Sequence, residues 1–99
     1  MANDRNTIIS EITAHVTKCG GRYSEWYAGI AADARQRLFS DHAVREGSDA
    51  WILRPCGSSG VAREIEKALF SLGMKGGPGG GDYSTDFVYA YKIAGHTGE

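Results

Sequence analysis

The sequence lacks long apolar runs, a surplus of either charge and a set of cysteines. No stretch approaches the roughly 20 apolar residues that span a bilayer, and the opening MANDRNT lacks a signal-peptide pattern, so a cytoplasmic protein with no membrane partner is expected. Cys19 and Cys56 are too few for a disulfide scaffold and lack metal-type spacing, so both are expected to be reduced. The formal net charge of −1 gives none of the overall basic character typical of nucleic-acid-binding proteins.

What the sequence does have is the composition of an ordinary folded domain. It contains 99 residues, of which 41% are hydrophobic and 23% charged. A chain of this length forms one core and buries roughly 60–70% of its unfolded surface. We expect a single domain over residues 1–99, with an N-terminal helix and turn (1–23), a core (24–93) and a frayed tail (94–99).

The first periodic segment runs from Asp4 to Lys18. Ile8, Ile12 and Val16 recur every four residues, which predicts one face of an amphipathic helix. The alternation between Ile12 and Val16 also suits a strand. Gly20-Gly21 follows where a helix stop is expected, which favours the helix.

The stretch from Ser24 to His42 changes period and chemistry within a few residues. Trp26 to Ile30 is an aromatic and β-branched run that predicts a strand. Asp33 suits the first turn of a helix ending at Asp41, where a carboxylate meets unpaired N–H groups. The apolar side of this helix is expected to comprise Ala34, Leu38 and Phe39.

A third helix is predicted after Ser58 and Ser59, which are placed to cap it. Its predicted buried stripe, ended by Gly73, comprises Val61, Ile65, Leu69 and Leu72.

Two further segments predict strands. Asp49 to Arg54 is bounded by Pro55, and Phe87 to Ile93 alternates, with its tyrosines on one face. Trp26 and Trp51 are expected to be core residues of adjacent strands.

The segment Lys75 to Asp82, rich in glycine, predicts a loop without the lysine and hydroxyl of a phosphate-binding P-loop. The resulting order is helix, strand, helix, strand, helix, strand, which predicts a small α/β sandwich: a three-stranded sheet flanked by helices.

The central stretch also carries a resemblance to a known family. Tyr27-Ala28-Gly29 is followed eight residues later by Arg37 and then by His42, and Ala62 precedes Glu66 by four residues on the third helix. This order and spacing resemble the second half of the signature of the GIY-YIG nuclease superfamily. The resemblance implies a GIY-YIG-like α/β fold and a DNA endonuclease activity.

The first half of that signature, a Gly-Ile-Tyr strand, is missing from its usual place. The window about ten residues before the Tyr-x-Gly strand holds Ala14, His15 and Val16. The C-terminal strand, however, resembles the missing one, with Tyr89 in place of its tyrosine. The resemblance therefore implies a permuted fold in which Phe87–Ile93 lies beside Trp26–Ile30.

The resemblance implies roles for five residues. Glu66 would hold a Mg²⁺ or Mn²⁺ ion, Arg37 would stabilise the phosphate, and Tyr27 with Tyr89 would position or deprotonate the water. His42 would contact phosphate or shuttle a proton near neutral pH.

Helix geometry favours Glu66 over Glu64 as the metal-binding carboxylate. At 100° per residue, Glu66 lies on the partly apolar flank with Ala62 and Leu69, and Glu64 lies on the opposite flank. The ordinary interpretation of Glu66 is a surface residue paired with Arg63 or Lys67.

The expected partner is nucleic acid, DNA more than RNA, with a partner domain or a second copy of the chain as further possibilities. The candidate contacts are Arg35, Arg37, Arg63 and Lys67. Tyr27 and Tyr89 have an ordinary interpretation as core residues, and His42 as a helix end. The missing early tyrosine and the absence of the family's asparagine between Gly73 and Asp82 favour an alternative: a catalytically inactive, nuclease-derived module that binds nucleic acid or protein.

Overall fold

The computed structural model describes residues 5–76 and 85–97 and has the predicted order of elements. The helices and strands, numbered in chain order, are α1 (Arg5–Cys19), β1 (Trp26–Ala31), α2 (Ala34–Gln36), β2 (Trp51–Pro55), α3 (Ser59–Leu72) and β3 (Phe87–Lys92). A 3₁₀ turn (Tyr23–Glu25) precedes β1, and α2 continues into a π-helical turn (Arg37–Asp41). Within the described ranges, every helix is too short or too polar to cross a bilayer.

The three strands form one antiparallel sheet in the order β1-β3-β2. The chain is therefore a small α/β fold, and its last strand is the central one. The predicted adjacency of the C-terminal strand to the Trp26 strand is confirmed. The prediction that Trp26 and Trp51 lie on adjacent strands is wrong, because β3 separates them and only Trp26 is fully buried.

Helices α1 and α3 pack against one face of the sheet. Every fourth residue of α1 is buried there, which confirms the helix over the strand alternative. On α3, the buried stripe begins at Ala62 instead of the half-buried Val61 and ends at Leu69, because Leu72 is 42% exposed, so the predicted stripe is wrong at both ends. The residues of this apolar layer include Ile8, Ile12, Val16, Ala28, Ile30, Ile52, Ile65, Leu69, Val88 and Ala90.

The opposite face carries α2, the π-helical turn and the loop after it. Ala34, Leu38 and Val44 pack there against the tyrosine side of β3. The predicted alternation of β3 is confirmed, since Tyr89 and Tyr91 lie on this face and Val88 and Ala90 on the other.

The ends of the helices follow the predicted capping residues. The Asp33 carboxylate accepts from the Gln36 N–H at 3.1 Å, and the Ser58 hydroxyl accepts from the Val61 N–H at 3.2 Å. Gly73 ends α3 with φ of 116°, a conformation that side chains with a Cβ rarely adopt.

Two predicted boundaries need correction. Pro55 belongs to β2, and it is tolerated there because β2 is an edge strand and its outer side needs no donor. The strand also begins later than Asp49, whose carboxylate accepts from the Arg45 N–H and contacts His96.

Two segments lie outside the core: the turn after β3 and the start of the glycine-rich segment. The Ala94–Thr97 turn is closed by backbone and side-chain hydrogen bonds, and His96 contacts Asp49; residues 98 and 99 of the predicted frayed tail lie outside the described residues. The predicted glycine-rich loop Lys75–Asp82 is described only at Lys75 and Gly76, where Lys75 pairs with the outer edge of β1.

Candidate active site

Tyr89 lies at the centre of the candidate site, on the middle strand of the sheet. It pairs with Gly29 on the neighbouring strand β1, and its phenol ring lies over that glycine. A Cβ built on Gly29 would lie 2.4 Å from the Tyr89 hydroxyl oxygen, closer than real contacts allow. Glycine is therefore required at position 29 by the close approach of Tyr89, and the structure brings Tyr89 next to Tyr27-Ala28-Gly29.

The π-helical turn places His42 directly against this hydroxyl. The backbone N–H of His42 donates to the carbonyl of Arg37, and the next residue, Ala43, has φ of 59°. His42 is buried, and its Nε2 lies 2.8 Å from the hydroxyl oxygen of Tyr89. His42 ends the helical turn as expected and contacts Tyr89, and its role with phosphate or in proton transfer stays a prediction.

Two more tyrosines complete an aromatic cluster around His42. Tyr27 lies with its ring centroid 4.8 Å from that of His42 and stacks on Tyr91 at 5.3 Å. The Tyr91 hydroxyl lies 3.2 Å from Nδ1 of His42. No role was predicted for Tyr91, although its position two residues after Tyr89 places it on the same strand face.

Arg37 connects this buried cluster to solvent. Its side chain is about half exposed and forms an ion pair with Asp41, at 3.4 Å. Its guanidinium also lies close enough to the Tyr89 hydroxyl that their interaction raises the pKa of Arg37 above its ordinary value. A phosphate that met Arg37 from outside would therefore lie close to the Tyr89 oxygen.

The electrostatics of the site keep Tyr89 protonated. Burial raises the pKa of Tyr89, and the hydrogen bond from Arg37 opposes that shift without cancelling it. The neighbouring Tyr27 and the charge of Glu66 raise the pKa further. Tyr89 is accordingly a neutral phenol at neutral pH, able to donate one hydrogen bond and accept others.

Glu66 lies on α3, in the opposite layer of the molecule, and its charge raises the pKa of the Tyr89 hydroxyl. It is partly buried on α3 between the buried residues Ala62 and Leu69, and burial raises the pKa of its carboxyl while Arg63 opposes that shift. Glu64, by contrast, is exposed and pairs with Arg5 at 3.1 Å. The predicted difference between the two carboxylates is confirmed.

The remaining residues predicted to contact nucleic acid do not all lie in this cluster. Arg35 lies over the rings of Phe39 and Trp51 and pairs with Glu46, so its described contacts are with residues other than Tyr89. Arg63 lies on α3 close enough to Glu66 to lower the pKa of that carboxyl against the effect of burial. Lys67, the residue after Glu66, is exposed.

The site offers a divalent cation one carboxylate. Among residues 5–76 and 85–97, no three His, Cys, Asp or Glu side chains are grouped as a ready-made metal cage. Mg²⁺ is commonly bound through one or two carboxylates, with water and substrate phosphates completing its shell. A partly buried Glu66 whose charge reaches the Tyr89 hydroxyl fits that mode of binding.

Comparison with known proteins adds no relative: the chain matches no family model, no curated protein and no solved structure.

Proposed function

We propose that this chain is a permuted GIY-YIG-like domain that hydrolyses DNA phosphodiester bonds with the help of a divalent cation. The observation that supports the proposal is the meeting of Arg37 and His42 at Tyr89, a residue 47 positions beyond His42 in the chain, with Tyr27 packed against His42. The motif spacing selected these residues without knowledge of the register. Chance matches to a motif have no reason to fall in one cluster.

The place of β3 supports the proposed permutation. In the resemblance, the strand carrying the first tyrosine lies beside the Tyr-x-Gly strand, and here β3 pairs with β1 along its whole length. Tyr89 opposes Gly29 in that register. A late strand therefore supplies the position that an early strand supplies in the family pattern.

Each residue has a chemical part in the proposed reaction. Arg37 binds the scissile phosphate and stabilises the charge that develops on its oxygens. Water attacks phosphorus and passes a proton to the Tyr89 oxygen as the Tyr89 proton moves to His42 Nε2, while the bond to the leaving oxygen breaks and that oxygen takes a proton from solvent. A neutral Tyr89 requires such a relay, because it has no free charge with which to accept a proton.

The metal ion, when bound at Glu66, supplies charge neutralisation and a more acidic water. Glu66 is suited to hold it because its carboxylate is partly buried: burial raises the pKa of this carboxyl, Arg63 opposes that shift, and a bound cation would favour the ionised form. Tyr27 packs against His42 and Tyr91 and keeps the imidazole ring in place.

Two observations favour the alternative of an inactive module that binds nucleic acid or protein. The Tyr89 side chain is only 1% exposed, and the two arginines nearest the motif are paired with Asp41 and Glu46. A tyrosine cluster closed in this way also serves as a core. Catalysis requires the Arg37 guanidinium to leave Asp41 and bind the phosphate. An inactive module does not require this exchange.

The test is nicking of supercoiled plasmid with Mg²⁺ or Mn²⁺ by the unmodified protein, Glu66→Gln and Glu64→Gln. Glu66→Gln keeps the shape of the side chain and removes its charge, so we expect a loss of at least about 100-fold. Glu64→Gln is the matched control on the exposed side of the same helix and should nick like the unmodified protein.

The other outcomes separate the remaining functions. Absence of nicking by all three proteins overturns the enzyme, and salt-dependent binding of the plasmid would then support the nucleic-acid-binding module over a protein adaptor. Equal nicking by all three would mean that Glu66 does not hold the metal or that the activity is a contaminant.

A further inference from the structure

We propose that His15 and Cys19, near the C-terminal end of α1, form a binding site for a thiophilic divalent cation such as Zn²⁺. The pair belongs to the layer that packs on the aliphatic face of the sheet, and the tyrosine cluster lies on the opposite face. The proposal therefore does not rest on the proposed function.

The two side chains meet because they are four residues apart on a helix. Residues at that spacing lie one above the other on the same helix face. Cys19 Sγ lies 3.6 Å from Nε2 of His15. A thiolate sulfur and an imidazole nitrogen are typical zinc ligands, so the pair offers a cation two ligands of the right kind.

The separation of the two atoms matches the geometry of a zinc site. Zinc forms bonds of about 2.3 Å to sulfur and about 2.0–2.1 Å to nitrogen, in a tetrahedral arrangement. Two such bonds at a tetrahedral angle place the sulfur and the nitrogen about 3.5–3.6 Å apart. The observed 3.6 Å therefore lets one cation contact both atoms without a change in their separation. In the metal-free protein the same approach is a hydrogen bond between thiol and imidazole.

The surroundings hold both side chains near this arrangement. The His15 ring meets the ring of the fully buried Trp26 edge to face, with centroids 5.9 Å apart. The Gly20 N–H donates to the Val16 carbonyl at 2.8 Å, so the helix is closed directly after Cys19. His15 and Cys19 are themselves half-buried, so solvent and small ions can reach them. A pair that is already held together loses less freedom on binding, which favours affinity.

The charges around the pair act against hard cations. Burial lowers the pKa of His15, the Trp51 backbone opposes that shift, and the charges of Lys18 and Arg54 add to it. The imidazole is accordingly neutral at pH 7, with a lone pair for a metal. The same two positive charges repel any cation, so binding requires the strong bond to a thiolate, whose proton is released to solvent. Mg²⁺, which prefers oxygen ligands, lacks that bond.

The site offers two protein ligands and leaves two positions of a tetrahedral cation open. This agrees with the absence, among residues 5–76 and 85–97, of any group of three metal-binding side chains. Structural zinc sites, by contrast, are closed by four protein ligands. We therefore expect a cation at His15 and Cys19 to exchange readily.

Cys19 is the thiol that a reagent can reach. Cys56 is 2% exposed, its sulfur lies 3.7 Å from the Arg54 carbonyl, and burial raises its pKa to about 11. Because the thiolate is the reactive form, Cys56 should react slowly in the folded protein. Alkylation of the folded chain therefore reports on Cys19, and reaction at Cys56 reports on unfolding.

The test is alkylation of the metal-free full chain by iodoacetamide, followed by mass spectrometry, with and without Zn²⁺. Because a zinc-bound thiolate is protected, we expect Zn²⁺ at about ten times its dissociation constant to slow the reaction of Cys19 about tenfold. Mg²⁺ at the same concentration should not slow it. Co²⁺ should give a thiolate-to-cobalt absorption band that Cys19→Ser lacks.

Two variants separate binding by the pair from other causes of protection. His15→Gln keeps a polar side chain and removes the imidazole. It should raise the Zn²⁺ concentration for half protection at least about tenfold, since loss of a ligand costs at least as much as loss of a group that orients one. His96→Gln, at an exposed histidine in contact with Asp49, is the matched control and should leave protection unchanged.

Each outcome decides the proposal. Unchanged alkylation at up to about 1 mM Zn²⁺, a concentration that reveals even weak binding, overturns it. Equal protection in His15→Gln overturns it as well, and so does equal slowing by Mg²⁺. The expected results support it even if the protein nicks no plasmid, and Glu66→Gln should leave the protection of Cys19 unchanged.

Discussion

The two faces of the sheet are held by different kinds of contact. Towards α1 and α3, β3 presents Val88 and Ala90, and the layer they enter is largely aliphatic. Towards the π-helical turn, the same strand presents Tyr89 and Tyr91, whose hydroxyl groups bond to the buried His42. One six-residue strand thus takes part in an apolar core and a polar cluster.

This difference indicates where specificity lies in the molecule. Apolar contacts are non-directional, so the α1 and α3 face depends chiefly on the volume and fit of its side chains. Burial of hydroxyl groups and an imidazole is costly unless each finds a partner, so the other face depends on particular pairs. Such pairs limit which residues can occupy the positions, and perturbed titratable groups in them mark candidate functional sites.

The largest expected effect comes from opening a cavity in the apolar face. Leu69→Ala removes a fully buried side chain from α3 and should lower the free energy of unfolding by about 2–5 kcal/mol, measured by urea denaturation. Leu72→Ala, on the same helix but 42% exposed, is the matched control and should cost less than about 1 kcal/mol. Equal losses in the two variants would show that α3 is not packed as described.

A smaller effect is expected from crowding the polar face. Gly29→Ala places a methyl group against the Tyr89 hydroxyl and should lower the free energy of unfolding by about 1–3 kcal/mol, while displacing that hydroxyl from His42. Gly47→Ala, where an added Cβ meets no atom within 4 Å, should leave stability unchanged or raise it slightly. A Gly29→Ala variant as stable as the unmodified protein would contradict the close approach of Tyr89.

Local chemistry made most elements of this fold predictable from the sequence. The alternation of β3, the caps at Asp33 and Ser58 and the stop at Gly73 each depend on a few neighbouring residues. The order of the strands does not, and the wrong pairing of Trp26 with Trp51 came from treating strands that are successive in the chain as neighbours in the sheet. Leu72 was misplaced because a periodic pattern does not reveal where the neighbouring layer ends.

The candidate site was predictable only as far as motif spacing reaches. The spacing selected Tyr27, Arg37, His42 and Glu66, and the resemblance added Tyr89. Tyr91 was missed because its contact with His42 depends on strand register and on the π-helical turn, which was predicted as ordinary helix. Strand register depends on contacts between residues far apart in the chain. The extra residue in a π turn changes the direction of the chain after the turn, and no clear local pattern in the sequence marks it.

The smallest expected effect concerns Glu66, the carboxylate that lies among the apolar residues of α3. Burial raises its pKa, so the folded protein binds a proton at Glu66 more tightly than the unfolded chain does. Its contribution to stability is therefore lost as the pH rises through the folded pKa, and the ionised form at pH 7 is the less favourable one. Glu66→Gln should raise the melting temperature at pH 7 in the presence of a chelator, by the equivalent of less than about 1 kcal/mol since the group is only partly buried.

The difference in melting temperature between Glu66→Gln and the unmodified protein should shrink at pH 4, where the Glu66 carboxyl is largely protonated and, like the glutamine amide, carries no charge. Glu64→Gln, on the exposed side of the helix, should show no such gain at pH 7, because it removes a surface ion pair with Arg5. A Glu66→Gln variant that is less stable than the unmodified protein at pH 7 would mean that the carboxylate has a stabilising partner within the fold. A gain at pH 7 is instead what is expected of a charge kept in a costly position for binding a cation, and it links the apolar face of the sheet to the polar one.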